Sequence, residues 1–384
     1  MGRFKDALAC PGLAAIAEVK RRSPSAGDLR PEADPAVLAA EFERAGAAAV
    51  SILVDDRFEG SIADLAAARS RATLPLLAKG FFRDSDELAF LKRAGADAVL
   101  LLLRDLNDDQ AAVLMTRARE LGLDTLVEAH DREELDRAVR LGADPIGLNA
   151  RDLGTFEIDR AAQLELVAGA PRDRVVVAES GISSRAQGAA AELAGANAIL
   201  VGSTLMRASD PAATLAQLIS RPLVKVCGLT REEDVEAAVD AGADLAGFIL
   251  AKESPRRAAE VLPVPDTVLS VAVLVGERAD APADLVQLYP REREHRGRDG
   301  VLFRGGEEVA RVVDLPWQQA DPTHLDRARQ AEGRVMLAGG LGPENVREAI
   351  EAVRPWAVDA SSSLETEPGI KDHERVRAYV AAAR

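Results

Sequence analysis

Five stretches of this 384-residue chain decide its fold: RAGAAAVSIL (44–53), RAGADAVLLL (93–102), RLGADPIGLN (140–149), LAGANAILVG (193–202) and DAGADLAGFI (240–249). Each closes a helical stretch with a small-residue turn built on glycine and passes directly into a run of Val, Ile, Leu or Ala. Glycine after a helix supplies a left-handed C-cap, and a continuous apolar run of about five residues suits a strand buried on both faces of a parallel sheet. Gly46, Gly95, Gly142, Gly195 and Gly242 stand 49, 47, 53 and 47 residues apart, room for two strand–helix units per interval. Alternating strands and helices imply an α/β fold.

Working outward, IAEVK (16–20), LPLLAK (74–79), DTLVEA (124–129) and RVVVAES (174–180) read as the intervening strands, which makes eight before residue 205. That count predicts a (βα)8 barrel. A doubly wound sheet would carry a glycine-rich fingerprint directly after its first strand, where Glu18, Lys20, Ser23, Pro24 and Ser25 stand instead. After Arg221 and Pro222 a second series begins. Its strands read LVKVCG (223–228), LAGFIL (245–250), LSVAVLV (269–275), LVQLY (285–289), RVMLAGG (334–340) and WAVDAS (356–361). Between 290 and 333, PREREHRGRDG reads as an exposed loop, and only VLF and VARVVDL read as strands. The expectation is therefore two tandem (βα)8 TIM barrels, residues 1–220 and 221–384, the second short and lacking one or two helices.

Composition narrows the function. Hydrophobic residues at 47% and charged ones at 29% can fill cores and wet a surface, unlike a disordered chain. With 48 basic against 63 acidic side chains the net charge is −15, which repels a phosphate backbone, so no nucleic-acid partner is expected. Cys10 and Cys227 are too few for a disulfide framework or a cysteine-rich zinc site. The N-terminus is a poor signal peptide and no run approaches the roughly 20 apolar residues of a membrane span, so a cytoplasmic protein is expected, with a monomer one open reading of an oligomeric state that the sequence does not give. His130, His295, His324 and His373 show no metal-ligand spacing and are expected on the surface, with no metal site. No P-loop or dinucleotide fingerprint is present.

A (βα)8 barrel builds its active site at the C-terminal ends of its strands. Read in order, those ends give Glu18 and Lys20, Phe58 in the second loop, Lys79, Glu128, Asn149 with Arg151, Glu179 with Ser180 and Gly181, and Gly202 with Ser203. Converging unlike charges cost desolvation, so a purely structural role for the whole set is an expensive one. Any single one could be a rim salt bridge. The Ser-Gly-Ile and Val-Gly-Ser turns at 180–182 and 201–203 follow strands seven and eight, where barrels often bind phosphate through backbone N–H groups.

Glu18-Val19-Lys20, the Ser23-Pro24-Ser25 turn, Lys79, Leu126-Val127-Glu128, Leu148 to Leu153, Glu179 to Ile182 and Val201-Gly202-Ser203 together resemble indole-3-glycerol phosphate synthase over residues 4 to about 218. The resemblance implies ring closure of 1-(o-carboxyphenylamino)-1-deoxyribulose 5-phosphate with loss of CO2 and water, no cofactor, Lys79 as general acid and Glu128 as general base. It further implies that Glu18 assists, that Lys20 and the turns at 181 and 202–203 hold phosphate, and that Asn149, Arg151, Glu179 and Ser180 orient substrate. Three features depart from the family pattern. Gly80-Phe81-Phe82 follows the lysine where an Asp is usual, only about 15 residues precede the first strand, and VDDRFEGS is one residue short.

The second series resembles phosphoribosylanthranilate isomerase through Val224 to Thr230, Ser254-Pro255-Arg256, Leu337 to Leu341, Val358 to Ser362 and Pro368 to Asp372. An Amadori rearrangement needs an acid to open the ribose and a base at the next carbon. By resemblance Cys227 is the base, Asp314 the acid, Arg256 meets the anthranilate part, and Gly340, Ser361 and Ser362 lie near phosphate. A thiol base needs a neighbouring cation or helix N-terminus, since its reference pKa is about 8.5. PWQQADPTH replaces the expected glycine-rich stretch after Asp314, QLYP replaces QLHG, and Ser363 replaces a glycine. Asp359, also at a strand end, has a family counterpart beside the phosphate-side loop.

The expectation is a bifunctional enzyme of tryptophan biosynthesis acting on small phosphorylated substrates. Three other readings stay open: an active synthase whose second barrel is structural or regulatory, a noncatalytic phosphate-ligand binder, and a second barrel acting on another phosphoribosyl amine. Lys79 with Glu128 argues against the binder, and Cys227 where histidine-pathway isomerases carry Asp argues against the last.

Overall fold

The computed structural model describes residues 2–23, 27–152, 154–276, 281–290, 299–315 and 320–384. Pro24 and Ser25 of the first-loop turn, Leu153, His295 and most of PREREHRGRDG, and the PWQQ stretch (316–319) lie outside them. The chain divides into two compact units, one of 1–183 with 188–219, the other of 184–187 with 220–384.

The barrel of the first unit has eight strands: β1 (Ala14–Val19), β2 (Ala49–Leu53), β3 (Leu76–Lys79), β4 (Ala98–Leu102), β5 (Asp124–Ala129), β6 (Ile146–Asn149), β7 (Val176–Glu179) and β8 (Ala198–Val201). All pair in parallel and β8 returns to β1, closing the barrel. Each of the five signature glycines sits at positive φ, the backbone its turn requires. Around the sheet run α2 (Pro35–Arg44), α3 (Ile62–Arg69), α4 (Ser85–Arg93), α5 (Asp108–Glu120), α6 (Arg132–Arg140), α7 (Arg160–Ala168), α8 (Arg185–Ala194), α9 (Ser203–Arg207) and α10 (Pro211–Ile219). Side-chain caps fix several starts; Ser61 and Asp64 form a capping box on α3, and Asn107 and Gln110 another on α5.

The few residues ahead of β1 still form a helix, α1 (Arg3–Leu8). Phe4 and Leu8 are fully buried against Ile16, Leu77, Leu126 and Val177, plugging the N-terminal end of the barrel. Asp124 of β5 accepts the backbone N–H groups of Phe4 and Lys5 at 3.0 and 3.1 Å, a carboxylate at the positive end of the helix. Burying two such side chains contributes roughly 3–6 kcal/mol by transfer alone.

Strand periodicity then places the chemistry. Side chains two apart share a face, so Ile16 and Glu18, Leu77 and Lys79, Leu126 and Glu128, Val177 and Glu179, and Leu200 and Gly202 all point inward. The apolar member of each pair joins the cluster around α1, and Glu18, Lys79, Glu128 and Gly202 line the opposite mouth, with Glu179 bonded to Lys79.

The second unit also closes: β9 (Leu223–Cys227), β10 (Leu245–Ile249), β11 (Leu269–Val275), β12 (Leu285–Tyr289), β13 (Asp299–Arg304), β14 (Glu307–Val313), β15 (Val335–Leu337) and β16 (Ala357–Ala360). It is shorter of helix than one or two missing elements. Among the described residues only α11 (Glu232–Ala241), α12 (His324–Gln330), α13 (Val346–Val353) and α14 (His373–Ala382) surround it. One strand is also reversed, since β13 runs antiparallel to both β12 and β14. The cause is local. Gly305 and Gly306 both take positive φ between the paired Arg304 and Glu307, the two-residue turn that a tight hairpin demands.

Candidate active sites

At the first barrel's mouth the Lys79 Nζ sits among three carboxylates, 2.6 Å from Glu179, 3.5 Å from Glu18 and 3.7 Å from Glu128. Glu18, Glu128 and Glu179 are all buried. Space for them is made by missing side chains. A Cβ on Gly147 would fall 2.2 Å from Glu179 Oε1, and one on Gly202 would fall 2.4 Å from Glu18 Oε1. Asn149 Nδ2 donates to Glu128 Oε1 at 2.9 Å, while Glu128 Oε2 and Glu179 Oε1 have no hydrogen-bond partner.

The carboxylates diverge electrically. Burial pushes Glu179 up to about 8, helped by Glu128 and Glu18, with Lys79 opposing. Burial acts the same way on Glu128, but Lys79, His130 and Asn149 outweigh it and bring that group down to about 2. For Lys79 burial favours the neutral amine, yet the three glutamates together raise its pKa and keep it an ammonium. Glu18 is lowered, Lys20 and Lys79 overcoming its burial.

These groups open into a cavity of ≈ 690 Å³ that also holds Lys20, Ser23, Phe58, Arg151, Ser180, Gly181, Gly202 and Ser203. Every residue expected at this site lines it except Glu179, which is fully buried and reaches it through its hydrogen bond to Lys79. Ser180 and Gly181 both take left-handed backbone, φ 69° and 71°, and Gly202 leads into the short helix α9. Lys20 lies 2.8 Å from Glu18. Phe58 stacks on Phe81 at 6.3 Å between centroids, and the guanidinium of Arg57 lies 3.6 Å over the Phe81 ring. Phe81, Arg57 and Arg207 line the cavity without having been anticipated. Phe81 was legible as an aromatic two residues past Lys79.

His130 corrects the surface expectation. Its side chain is only 14% exposed, with Nδ1 3.0 Å from Glu134 and Nε2 3.2 Å from Glu128. It continues the inward parity of Leu126 and Glu128, which the sequence displays. His324 is buried too, its Nε2 3.3 Å from the Val313 carbonyl, because it opens α12 against the sheet.

In the second barrel Cys227 is buried, and Lys225, two residues earlier and fully enclosed, holds Asp359 and Gln287 at 2.8 Å each. Burial pushes the Cys227 thiol up, and Lys225 pulls it back part of the way. Burial also opposes charge on Lys225, but Asp359 and Cys227 outweigh it and raise its pKa. Tyr289 donates to Asp314 Oδ2 at 2.8 Å and accepts from Gln287 Nε2 at 2.7 Å. Burial lifts Asp314 to about 7 against that hydroxyl.

Arg256 is bound by Glu365 at 2.8 Å, and Glu365 also holds Lys371 at 2.8 Å. Lys371 Nζ reaches the Ser361 carbonyl at 3.1 Å. A Cβ on Gly228 would meet Ser361, Arg256 and Lys371, so all three crowd the residue after Cys227. Gly340 takes φ 66°, and Ser362 begins a short 3-10 turn. Lys225, Gln287, Tyr289, Glu365 and Lys371 were not anticipated. Lys225 was legible from the two-residue spacing to Cys227; Lys371 reaches the site only through the hairpin of Glu365–Glu367 with Ile370–Lys371.

A closed parallel barrel with acid and base groups at its strand ends, and glycine turns after strands seven and eight, defines a TIM-barrel enzyme with a phosphate-binding end. More particularly, the chain belongs to the indole-3-glycerol phosphate synthase family, whose model matches residues 2–218. A model of N-(5'phosphoribosyl)anthranilate isomerase matches residues 318–382. The indole-3-glycerol phosphate synthase of Rhodococcus opacus is 43% identical over 215 residues, covering 56% of this chain and 80% of that one. A multifunctional tryptophan biosynthesis protein of Schizosaccharomyces pombe is 31% identical over 459 residues, across 97% of this chain and 59% of its own. The chain thus spans about three fifths of that relative's length. A solved phosphoribosyl anthranilate isomerase from Thermus thermophilus is 29% identical, covering 41% of this chain and 96% of that one, with a TM-score of 0.34. No helix among the described residues is long and apolar enough to cross a membrane.

Proposed function

We propose that the two barrels catalyse consecutive steps. The second isomerises N-(5-phosphoribosyl)anthranilate, and the first closes the product to indole-3-glycerol phosphate with loss of CO2 and water. The observation that carries the reading is the ammonium of Lys79 held among three buried glutamates at a cavity that the glycine turns after the seventh and eighth strands also line.

In the first barrel Lys79 donates its proton to the ketone oxygen as the aromatic carbon attacks, and CO2 leaves from that ring carbon. Glu179, protonated at neutral pH and hydrogen-bonded to Nζ, returns a proton to the amine. The re-protonated Lys79 then gives that proton to the new hydroxyl, which leaves as water, while Glu128, ionised and with one oxygen lacking a hydrogen bond, takes a proton from the adjacent methylene carbon to complete the indole double bond. Preorganised charge in a buried site makes each role worth more than it would be in water. Lys20, Ser180, Gly181, Gly202 and Ser203 form the phosphate end, and Arg151 and Phe58 line the remainder.

In the second barrel Asp314, half protonated near pH 7, opens the ribose ring. Cys227, once its thiol has given up its proton beside Lys225, removes the proton from the neighbouring carbon. Arg256 faces the aromatic acid, with Gly340, Ser361 and Ser362 toward phosphate.

The test supplies purified protein with phosphoribosylanthranilate and follows indole-3-glycerol phosphate by fluorescence, with the synthase substrate as a separate control. Product from both substrates is expected. Product from the synthase substrate alone refutes the isomerase half.

A further inference from the structure

We propose that His130 is a positioning residue of the ring-closure site, a fixed cation that pins one oxygen of Glu128 and keeps that carboxylate ionised. The inference rests on the reading of Glu128 as the base.

Its ground is geometric. Each ring nitrogen of His130 faces a carboxylate oxygen: Nδ1 hydrogen-bonds Glu134 Oε2 at 3.0 Å, and Nε2 stands 3.2 Å from Glu128 Oε1 at ion-pair distance without hydrogen-bond alignment. A neutral imidazole carries one N–H and one lone pair, so it would turn that lone pair on an anion. Only the doubly protonated ring suits both neighbours. Glu134 is itself fixed, since the same Oε2 accepts the His130 backbone N–H at 2.9 Å. Burial favours the neutral ring, but the two glutamates reverse that and raise it to about 10.

The groups around this cation are Glu128 on β5, the strand that ends just before it, Glu134 on α6, Asn149 on β6 and Lys79 on β3, with Glu18 and Glu179 beyond Lys79. Arg104 and Asp105, after β4, line the same cavity. Lys79 is shared among three carboxylates, whereas His130 contacts only one of them. His130 and Asn149 both approach Glu128 Oε1, which leaves Oε2 as the oxygen with no hydrogen bond. This asymmetry separates two glutamates that meet the same lysine, one held ionised and the other holding a proton. Such divergence is how one site obtains both a base and an acid.

Three variants and one spectroscopic measurement test it on the full chain. With only four histidines, the ring C–H signals can be followed by NMR. His130 is expected to stay protonated through pH 8.5, and in Glu134→Gln to begin titrating below pH 9. His130→Asn is expected to lower kcat for ring closure at least tenfold with KM within threefold. Its kcat/KM profile should carry an acid limb at least one pH unit above that of the wild type. Glu134→Gln, which leaves the ring in place, should move the limb the same way by less, and it decides the matter if His130→Asn does not fold. A wild-type His130 titrating near 6.5, or variant profiles superimposing on the wild type, overturns the proposal. Wild-type kcat in Glu128→Gln would overturn the assignment of the base instead, which separates the two failures.

Discussion

Replacing Lys79 by Met removes the one charge that three buried carboxylates share while keeping most of the side chain's volume. Two consequences follow, and the structure sets their size. Loss of a positioned general acid costs about 10² to 10⁴ in rate; since Lys79 also polarises the ketone, a fall in kcat of about 10³ or more is expected. Breaking a buried ion pair by removing one partner costs about 3–5 kcal/mol, and the Lys79 side chain is only 15% exposed, so solvent screens little of that. At about 2–4 °C per kcal/mol for a domain of this size, the first barrel's melting temperature should fall by about 6–20 °C at pH 8. The loss depends on pH with a definite sign. Without the ammonium each of the three glutamates loses a cation that lowers its pKa, and Glu179, already raised by burial, loses its only opposing one, so the folded variant binds more protons than the folded wild type. Stability relative to the wild type then falls as pH rises, and the deficit should shrink between pH 8 and pH 5.5. Ring closure is read by product fluorescence, isomerisation separately, and stability by thermal melts across pH. Retention of more than a tenth of kcat refutes the assignment of Lys79. Equal loss of isomerisation in the folded variant refutes the independence of the two sites.

Cys227→Ser should abolish isomerisation and leave ring closure within twofold; the wild-type kcat/KM for isomerisation should be bell-shaped, since Asp314 at about 7 must be protonated while a thiol raised by burial must be ionised, and a flat profile would contradict that pairing. Tyr289→Phe removes the hydroxyl that stabilises ionised Asp314, so the Asp314 limb should move to higher pH, and a shift to lower pH would show the hydrogen bond runs the other way. Gly202→Ala puts a methyl 2.4 Å from Glu18 Oε1; ring-closure kcat should drop about tenfold with the fold intact, and an unchanged kcat would mean Glu18 is free to move aside.

Much of the first site was legible because a β-strand alternates strictly. Glu18, Lys79, Glu128 and Glu179 each follow an apolar residue two positions earlier, so once eight parallel strands close, their convergence is forced. The same rule exposed Lys225 beside Cys227 and His130 beyond Glu128, though neither had been given a role. Histidine's ordinary exposure was a weaker guide than its parity on the strand.

By itself, then, the sequence determined the number of strands and which side chains face the barrel axis, because both depend on local periodicity and on glycine at helix ends. It also held the Gly305-Gly306 signal that reverses β13, though a fully parallel series was expected there. Only the tertiary structure decided which carboxylates share Lys79, that Tyr289 caps Asp314, and that Lys371 reaches the mouth near Cys227. Those pairings join residues as much as 144 positions apart in number, Lys371 and Cys227 among them. Closure of the barrel sets such distances, and no local pattern encodes them. The pKa values follow the same division, since burial and neighbouring charge exist only once the chain has folded.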